Sequence, residues 1–97
     1  MAVGKETVSG TNVPIVPANN RRVRLIVTNN STDVTVWVGD SSSGAIGEGT
    51  PIFPGEKMIE EKDAVGNAKD EFLYTGIIYG ISGGGSASVS YWDVDDV

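Results

Sequence analysis

The sequence predicts an all-β protein, a small antiparallel β-sandwich of about seven or eight short strands with a jelly-roll-like arrangement. Short runs in which apolar and polar side chains alternate predict the strands, and clusters of glycine, proline, asparagine and serine between them predict the turns. The chain has 97 residues, which suffices for one hydrophobic core and is too short for two. We therefore expect residues 1–97 to form a single domain.

The segment 21–39, RRVRLIVTNNSTDVTVWVG, carries the clearest strand pattern in the chain. Its two halves alternate between apolar and polar side chains, and the run 29–33 between them consists of residues that favour chain reversal. We therefore predict that 21–39 forms the central β-hairpin of the fold, with one face apolar throughout. That face carries Val23, Leu25, Val27, Val34, Val36 and Val38.

Residues 1–17 are expected to form an N-terminal arm or an edge strand. Residues 5–9 fit a short strand. Pro14 and Pro17 remove backbone N–H donors from the run 13–17, and a central strand needs those donors on both sides. This run therefore belongs at a sheet edge or in an extended arm, and not in the centre of a sheet.

The middle of the chain is predicted to alternate between loops and short strands. Residues 40–49, DSSSGAIGEG, are small, polar and rich in glycine, which predicts a loop. Pro54 and Gly55 fit the two central positions of a type II turn, with a short strand entering and another leaving. In the leaving strand Met58 is expected to point inward. Residues 60–71 fit a surface loop better than a helical turn, because their few apolar residues form no stripe.

The C-terminal third carries two further strand predictions. The most apolar stretch, 72–82, predicts a strand that is buried on both faces and pairs with the strand after it. Three glycines at 83–85 predict a hairpin tip between the two. Residues 86–93 alternate between apolar and polar side chains, and residues 93–97 are expected to form a solvated acidic tail.

The formal charge is −6, and it is distributed unevenly. Residues 1–39 carry four basic and two acidic residues, net +2, whereas residues 40–97 carry three lysines and eleven acidic residues, net −8. An acidic surface repels nucleic acid and anionic membranes, so we expect neither as a partner. No apolar run approaches the roughly 20 residues needed to cross a bilayer. The first ten residues lack a signal-peptide pattern, and we expect the mature chain to begin at Met1 or Ala2.

The residue inventory argues against an enzyme. The chain has no histidine and no cysteine, which removes the commonest general base, the thiolate nucleophile and the usual zinc ligands. We therefore expect no catalytic site, no cofactor and no bound metal. The acidic segment 60–71 leaves open a hard-cation site built from oxygen ligands, but it lacks EF-hand spacing, and a solvated surface is the other interpretation.

A small set of basic and aromatic side chains is predicted to contact a partner. Arg22 and Arg24 share the strand face opposite the valines, where they either pair with acidic groups of a partner or remain solvated charges. Trp37 and Trp92 fall on faces opposite the predicted core. An exposed indole often marks a contact surface, although a second layer of the sandwich would also cover it. The full set of candidates is Lys5, Arg21, Arg22, Arg24, Trp37 and Trp92.

Between residues 7 and 92 the chain contains a series of short strand and turn motifs in a characteristic order. They are Asn20-Arg21-Arg22, Leu25-x-Val27-x-Asn29-x-Ser31, Val36-x-Val38-Gly39, Pro51-Ile52-x-Pro54-Gly55, Tyr79-Gly80-Ile81 and Gly85-x-Ala87-x-Val89. In this order they resemble a family of small tailed-bacteriophage virion proteins of the head-decoration or head-fibre type. The chain departs from the family pattern in a longer loop at 61–71 and in the acidic run 93–96.

The resemblance implies a non-enzymatic structural virion protein, and we expect a phage capsid decoration (cement) protein that stabilises the head shell. The implied partners are the phage major capsid protein and other copies of the chain in a homotrimer. The implied location is the exterior of the capsid, after synthesis in the host cytoplasm. The alternative is a soluble binding module of a phage fibre or tail that recognises a carbohydrate or a receptor, with Trp37 and Trp92 as candidate contact residues.

Overall fold

The structure is a computed structural model that describes residues 2–42, 44–61 and 74–95. Among these residues there are eight β-strands and no helix, so the predicted all-β class is confirmed. No helix in this part of the chain has the length and hydropathy required to cross a membrane. The strands are β1 (Ala2–Val8), β2 (Val13–Val16), β3 (Arg22–Asn29), β4 (Val36–Gly39), β5 (Thr50–Ile52), β6 (Lys57–Glu61), β7 (Ile78–Ser82) and β8 (Ala87–Asp95).

The strands form two four-stranded antiparallel sheets. Sheet A has the order β1-β8-β3-β6, and sheet B has the order β2-β7-β4-β5. This is the strand order of a jelly roll, in which the chain crosses repeatedly from one sheet to the other. The predicted small antiparallel sandwich is therefore confirmed. β2 lies at an edge of sheet B, where Pro14 does not interrupt a central ladder.

The predicted central hairpin is wrong, although both of its strands exist. β3 pairs with β8 and β6, whereas β4 pairs with β7 and β5, so the two strands lie in different sheets. The reason lies at Asn29, whose side chain is fully buried and donates hydrogen bonds to the carbonyls of Val34 (2.7 Å) and Ile52 (2.9 Å). These bonds hold residues 30–35 as a corner between the sheets rather than as a tight turn.

The hairpin predicted at 83–85 is wrong for the same topological reason. β7 pairs with β2 and β4, and β8 pairs with β1 and β3. Residues 83–85 bend the chain as predicted, but they carry it from sheet B to sheet A. The strand predicted at 72–82 is shorter in the structure, where β7 begins at Ile78, and residues 72 and 73 lie outside the described part.

The hydrophobic core lies between the two sheets and contains most of the side chains predicted to form the apolar face of residues 21–39. Val23 and Val34 are only half-buried, and Met58 is half-buried and packs against the core, as predicted. Most of the predicted loop 60–71 lies outside the described residues. The core residues are Val8, Ile15, Val16, Leu25, Val27, Val36, Val38, Ile52, Ile78, Ala87 and Val89.

The turn predicted at Pro54 and Gly55 is confirmed. The backbone N–H of Glu56 donates to the carbonyl of Phe53 at 2.9 Å, and Gly55 has a φ of 78°, as the third residue of a type II turn requires. The turn carries the chain from β5 in sheet B to β6 in sheet A. The described residues of the segment 40–49 form no strand, which confirms the predicted loop.

Arg22 does not share the outer face with Arg24, and Asp93 is not part of a solvated tail. A register shift between Arg22 and Arg24 breaks the alternation and turns Arg22 into the protein, where its side chain is fully buried. β8 continues to Asp95, and its Asp93 is 3% exposed and forms an ion pair with Arg22 at 2.8 Å. Both predictions are therefore corrected, while residues 96 and 97 lie outside the described part.

Candidate functional site

The outer face of sheet A carries an apolar row that crosses all four strands. Val3 pairs with Trp92, Trp92 pairs with Ile26, and Ile26 pairs with Ile59. Paired residues on neighbouring antiparallel strands point to the same side of the sheet. Because Leu25 and its inward-facing neighbours occupy the core, this row points to solvent. With about 4.8 Å between neighbouring strands, the row is about 14 Å long.

Three of the four side chains in the apolar row are well exposed. Val3 is 73% exposed, Trp92 is 45% exposed and Ile59 is 46% exposed, while Ile26 between them is half-buried. Single exposed apolar residues are ordinary on protein surfaces, but a contiguous apolar patch with a polar rim is typical of an interaction site. The register of the four strands produces such a patch here.

The apolar row is flanked by polar and charged residues on both sides. The row on one side contains Lys5, Ser90, Thr28 and Lys57 in register. The row on the other side contains Arg24, which pairs in register with Val94 and Glu61, and whose Nε lies 3.5 Å from Glu61 Oε2.

The three rows therefore form a cationic face on an anionic protein. Among the described residues of these rows, Lys5, Lys57 and Arg24 contribute three positive charges and Glu61 one negative charge, a net +2, whereas the whole chain carries −6. A local excess of positive charge attracts an acidic surface and orients the protein during encounter. Together the rows offer apolar area, hydroxyl groups and cations, which suits recognition of a protein surface. We call this region the sheet A face.

The structure brings together Lys5, Arg24 and Trp92 on the sheet A face, three of the six residues predicted to contact a partner. Arg22 is buried against Asp93 and does not contribute to any surface. Arg21 is exposed in the turn before β3.

Trp37 lies on the opposite side of the sandwich, on the outer face of sheet B. It is half-buried, and it pairs in register with Pro51 and Ile81. Trp37 and Trp92 both fall on faces opposite the core, but the two indoles lie on different sheets and belong to different surfaces.

The sheet A face is completed by four residues that were not predicted from the sequence as contact residues: Val3, Ile26, Ile59 and Lys57. One signal was available, because Ile26 stands between the inward-facing Leu25 and Val27 and places one apolar side chain on the otherwise polar outer face of β3. The alignment of Ile26 with Val3 and Ile59 depends on strand pairing between distant parts of the chain, which no local pattern specifies.

The described residues contain no group of three or more aspartates and glutamates placed to hold a metal ion. Glu60 and Glu61 belong to β6, and the remaining acidic residues of the segment 60–71 lie outside the described part of the chain. The buried ion pair of Arg22 and Asp93 uses both carboxylate oxygens in hydrogen bonds, as expected of a structural pair. Comparisons with protein-family models, with curated proteins and with solved structures find no match to this chain.

Proposed function

We propose that this chain is a non-enzymatic structural virion protein, a phage capsid decoration (cement) protein that binds the outside of the head shell through the sheet A face. The observation that carries the proposal is the exposed apolar row of Val3, Trp92, Ile26 and Ile59 within a cationic rim. The phage assignment rests on the motif resemblance. The implied partner is an acidic, partly apolar surface of the major capsid protein.

The proposed role requires only modest affinity at each site. A capsid presents many identical sites, and a protein that binds the intact shell but not released subunits stabilises the shell by mass action at every site. The apolar row supplies the area that is removed from water, and the rim charges accelerate encounter. Because rim charges are screened by salt, association is expected to slow as the ionic strength rises, while the bound complex persists.

The test of the docking face is binding to purified phage particles that lack this protein. We expect Trp92→Ala to weaken binding by about 1–2 kcal/mol, a loss of about 5- to 30-fold, because it removes the largest side chain of the apolar row. The wild-type protein should also raise the temperature at which the particles rupture. Trp37→Ala is the matched control, because it removes the other indole from the opposite sheet.

Two outcomes would contradict this proposal. If the wild-type protein does not bind, or binds without changing the rupture temperature, the cement function is excluded. If Trp37→Ala weakens particle binding and Trp92→Ala does not, the docking face is wrong. The alternative function, a binding module of a phage fibre or tail, then becomes the better explanation.

We also propose that the protein associates as a homotrimer, as the motif resemblance implies. β1 and β2 lie at the edges of sheets A and B, and an edge strand exposes backbone groups that another chain can pair with. A small domain without disulfides also gains stability from burying further surface between copies. Sedimentation equilibrium is expected to give three times the chain mass, and a monomer mass at tens of micromolar would contradict a trimer of the free protein.

A further inference from the structure

A cleft opens on the outer face of sheet B, between that sheet and the loop 40–49. Its volume is about 230 Å³, and Trp37 and Tyr79 contribute aromatic rings to its lining. Tyr79 pairs in register with Gly39, which has no side chain, so the space beside the tyrosine stays open. Asn12, Asp40 and Glu48 add polar groups to the lining.

The aromatic side of the cleft is held in place by close packing. A Cβ atom on Gly83 would lie 2.6 Å from Cζ3 of Trp37, so the indole rests directly on the backbone of Gly83. Trp37 also pairs in register with Ile81, which is buried and lines the same cleft. The indole is therefore positioned before any ligand arrives, which reduces the entropy lost on binding.

The loop 40–49 on the other side of the cleft is also held in place by specific contacts. The side-chain amide of Asn12 donates hydrogen bonds to the carbonyls of Ser41 (3.0 Å) and Gly44 (2.9 Å). Gly49 has a φ of 84°, and a Cβ there would lie 2.4 Å from the carbonyl oxygen of Val38, so only glycine lets the loop approach β4 this closely. Both ends of the loop are thus attached to the sandwich.

The side-chain oxygen of Asn12 is a hydrogen-bond acceptor that receives no hydrogen bond from the described residues. This Oδ1 atom is buried. The amide orientation is determined by its two bonds to carbonyl oxygens, because only the nitrogen of the amide donates. A buried acceptor of this kind is costly when left unpaired. Because the atom has no exposed surface, a ligand in the cleft does not reach it directly.

We propose that this cleft binds a neutral saccharide, with one sugar ring against Trp37 and hydroxyl groups that donate to the carboxylates of Asp40 and Glu48. An indole offers an apolar face to the C–H groups of a sugar ring, and ionised carboxylates accept hydrogen bonds from its hydroxyl groups. None of the described residues that line the cleft is basic, so an anionic ligand is disfavoured. The volume is below the roughly 300–1,000 Å³ of pockets for drug-sized ligands, which favours a single ring.

This proposal is independent of capsid binding, because the cleft and the sheet A face lie on opposite sheets. The test is NMR titration of the full chain with glucose, galactose, mannose and N-acetylglucosamine, each up to about 50 mM, a range that covers the weak affinity expected of a ligand with few non-hydrogen atoms. We expect at least one sugar to shift the indole N–H resonance of Trp37 and the side-chain amide of Asn12, while the indole of Trp92 stays unchanged.

Two variants make the test decisive. Trp37→Ala should weaken sugar binding by about tenfold or more through loss of ring contact. Gly39→Leu should abolish it by filling the cleft, and this variant is expected to fold, because a Cβ at Gly39 meets no atom within 4 Å and its φ is not in the left-handed range. Trp92→Ala is the control and should bind normally. The proposal is overturned if no sugar shifts these resonances, or if folded Gly39→Leu binds as tightly as the wild type.

Discussion

Asp93→Ala is expected to destabilise the protein by about 3–5 kcal/mol, because it leaves the buried guanidinium of Arg22 without its counter-ion. Arg22 is fully buried and Asp93 is 3% exposed. The pair is bidentate, with Nε donating to Oδ1 at 2.8 Å and Nη2 donating to Oδ2 at 3.1 Å. A domain of this size has a total stability of about 5–15 kcal/mol, so the loss approaches global unfolding.

Arg22→Lys is expected to destabilise the protein severely as well. The guanidinium also donates to the carbonyls of Tyr74 (2.8 Å), Gly76 (3.3 Å) and Pro17 (2.8 Å), so all five of its N–H groups are used. A lysine ammonium has three donors and cannot reproduce the planar fork. Through these bonds Arg22 ties β3 and β8 of sheet A to the segments that border β2 and β7 of sheet B.

Urea denaturation of the variants measures this loss directly. Arg24→Ala is the matched control, because the pair of Arg24 and Glu61 is partly exposed and its loss should cost no more than about 1 kcal/mol. Replacing both partners of the buried pair, as in Arg22→Met with Asp93→Leu, should recover part of the stability, because no buried charge is left alone. A loss below about 1 kcal/mol for Asp93→Ala would contradict the structural role of the pair.

Leu25→Ala and Val36→Ala are expected to cost about 1–4 kcal/mol each, because each leaves a cavity between the sheets. Leu25 is 1% exposed on β3, and Val36 is fully buried on β4, so the two residues probe the core from opposite sheets. Both variants should lower the urea midpoint without changing the m-value, since the surface exposed on unfolding stays nearly the same.

Ile26→Ala is the control for Leu25→Ala, because the two residues are neighbours on one strand and face opposite sides. Ile26 is half-buried on the sheet A face, so its truncation leaves no enclosed cavity and should cost less stability. Its effect should appear in particle binding instead. The core face is assigned wrongly if Ile26→Ala and Leu25→Ala lose equal stability. It is also assigned wrongly if Leu25→Ala and Val36→Ala each lose less than about half a kcal/mol.

The sequence by itself determined the features that depend on neighbouring residues. The alternation in β3 and β4 identified Leu25 and Val36 as core residues, because successive side chains of a strand point to opposite faces. The type II turn followed from Pro54 and Gly55, whose allowed φ angles match its two central positions. Such features require no knowledge of distant strands.

Only the tertiary structure decided which strands pair and what each outer face presents. Polar residues between two strands predict a reversal of the chain, but the buried amide of Asn29 turns this reversal into a crossing between sheets. Arg22 and Arg24 have the same side chain and are two positions apart, yet a register shift buries one against Asp93 and leaves the other on the surface. The same non-local pairing aligns Val3, Trp92, Ile26 and Ile59, because strand register depends on residues far apart in the chain.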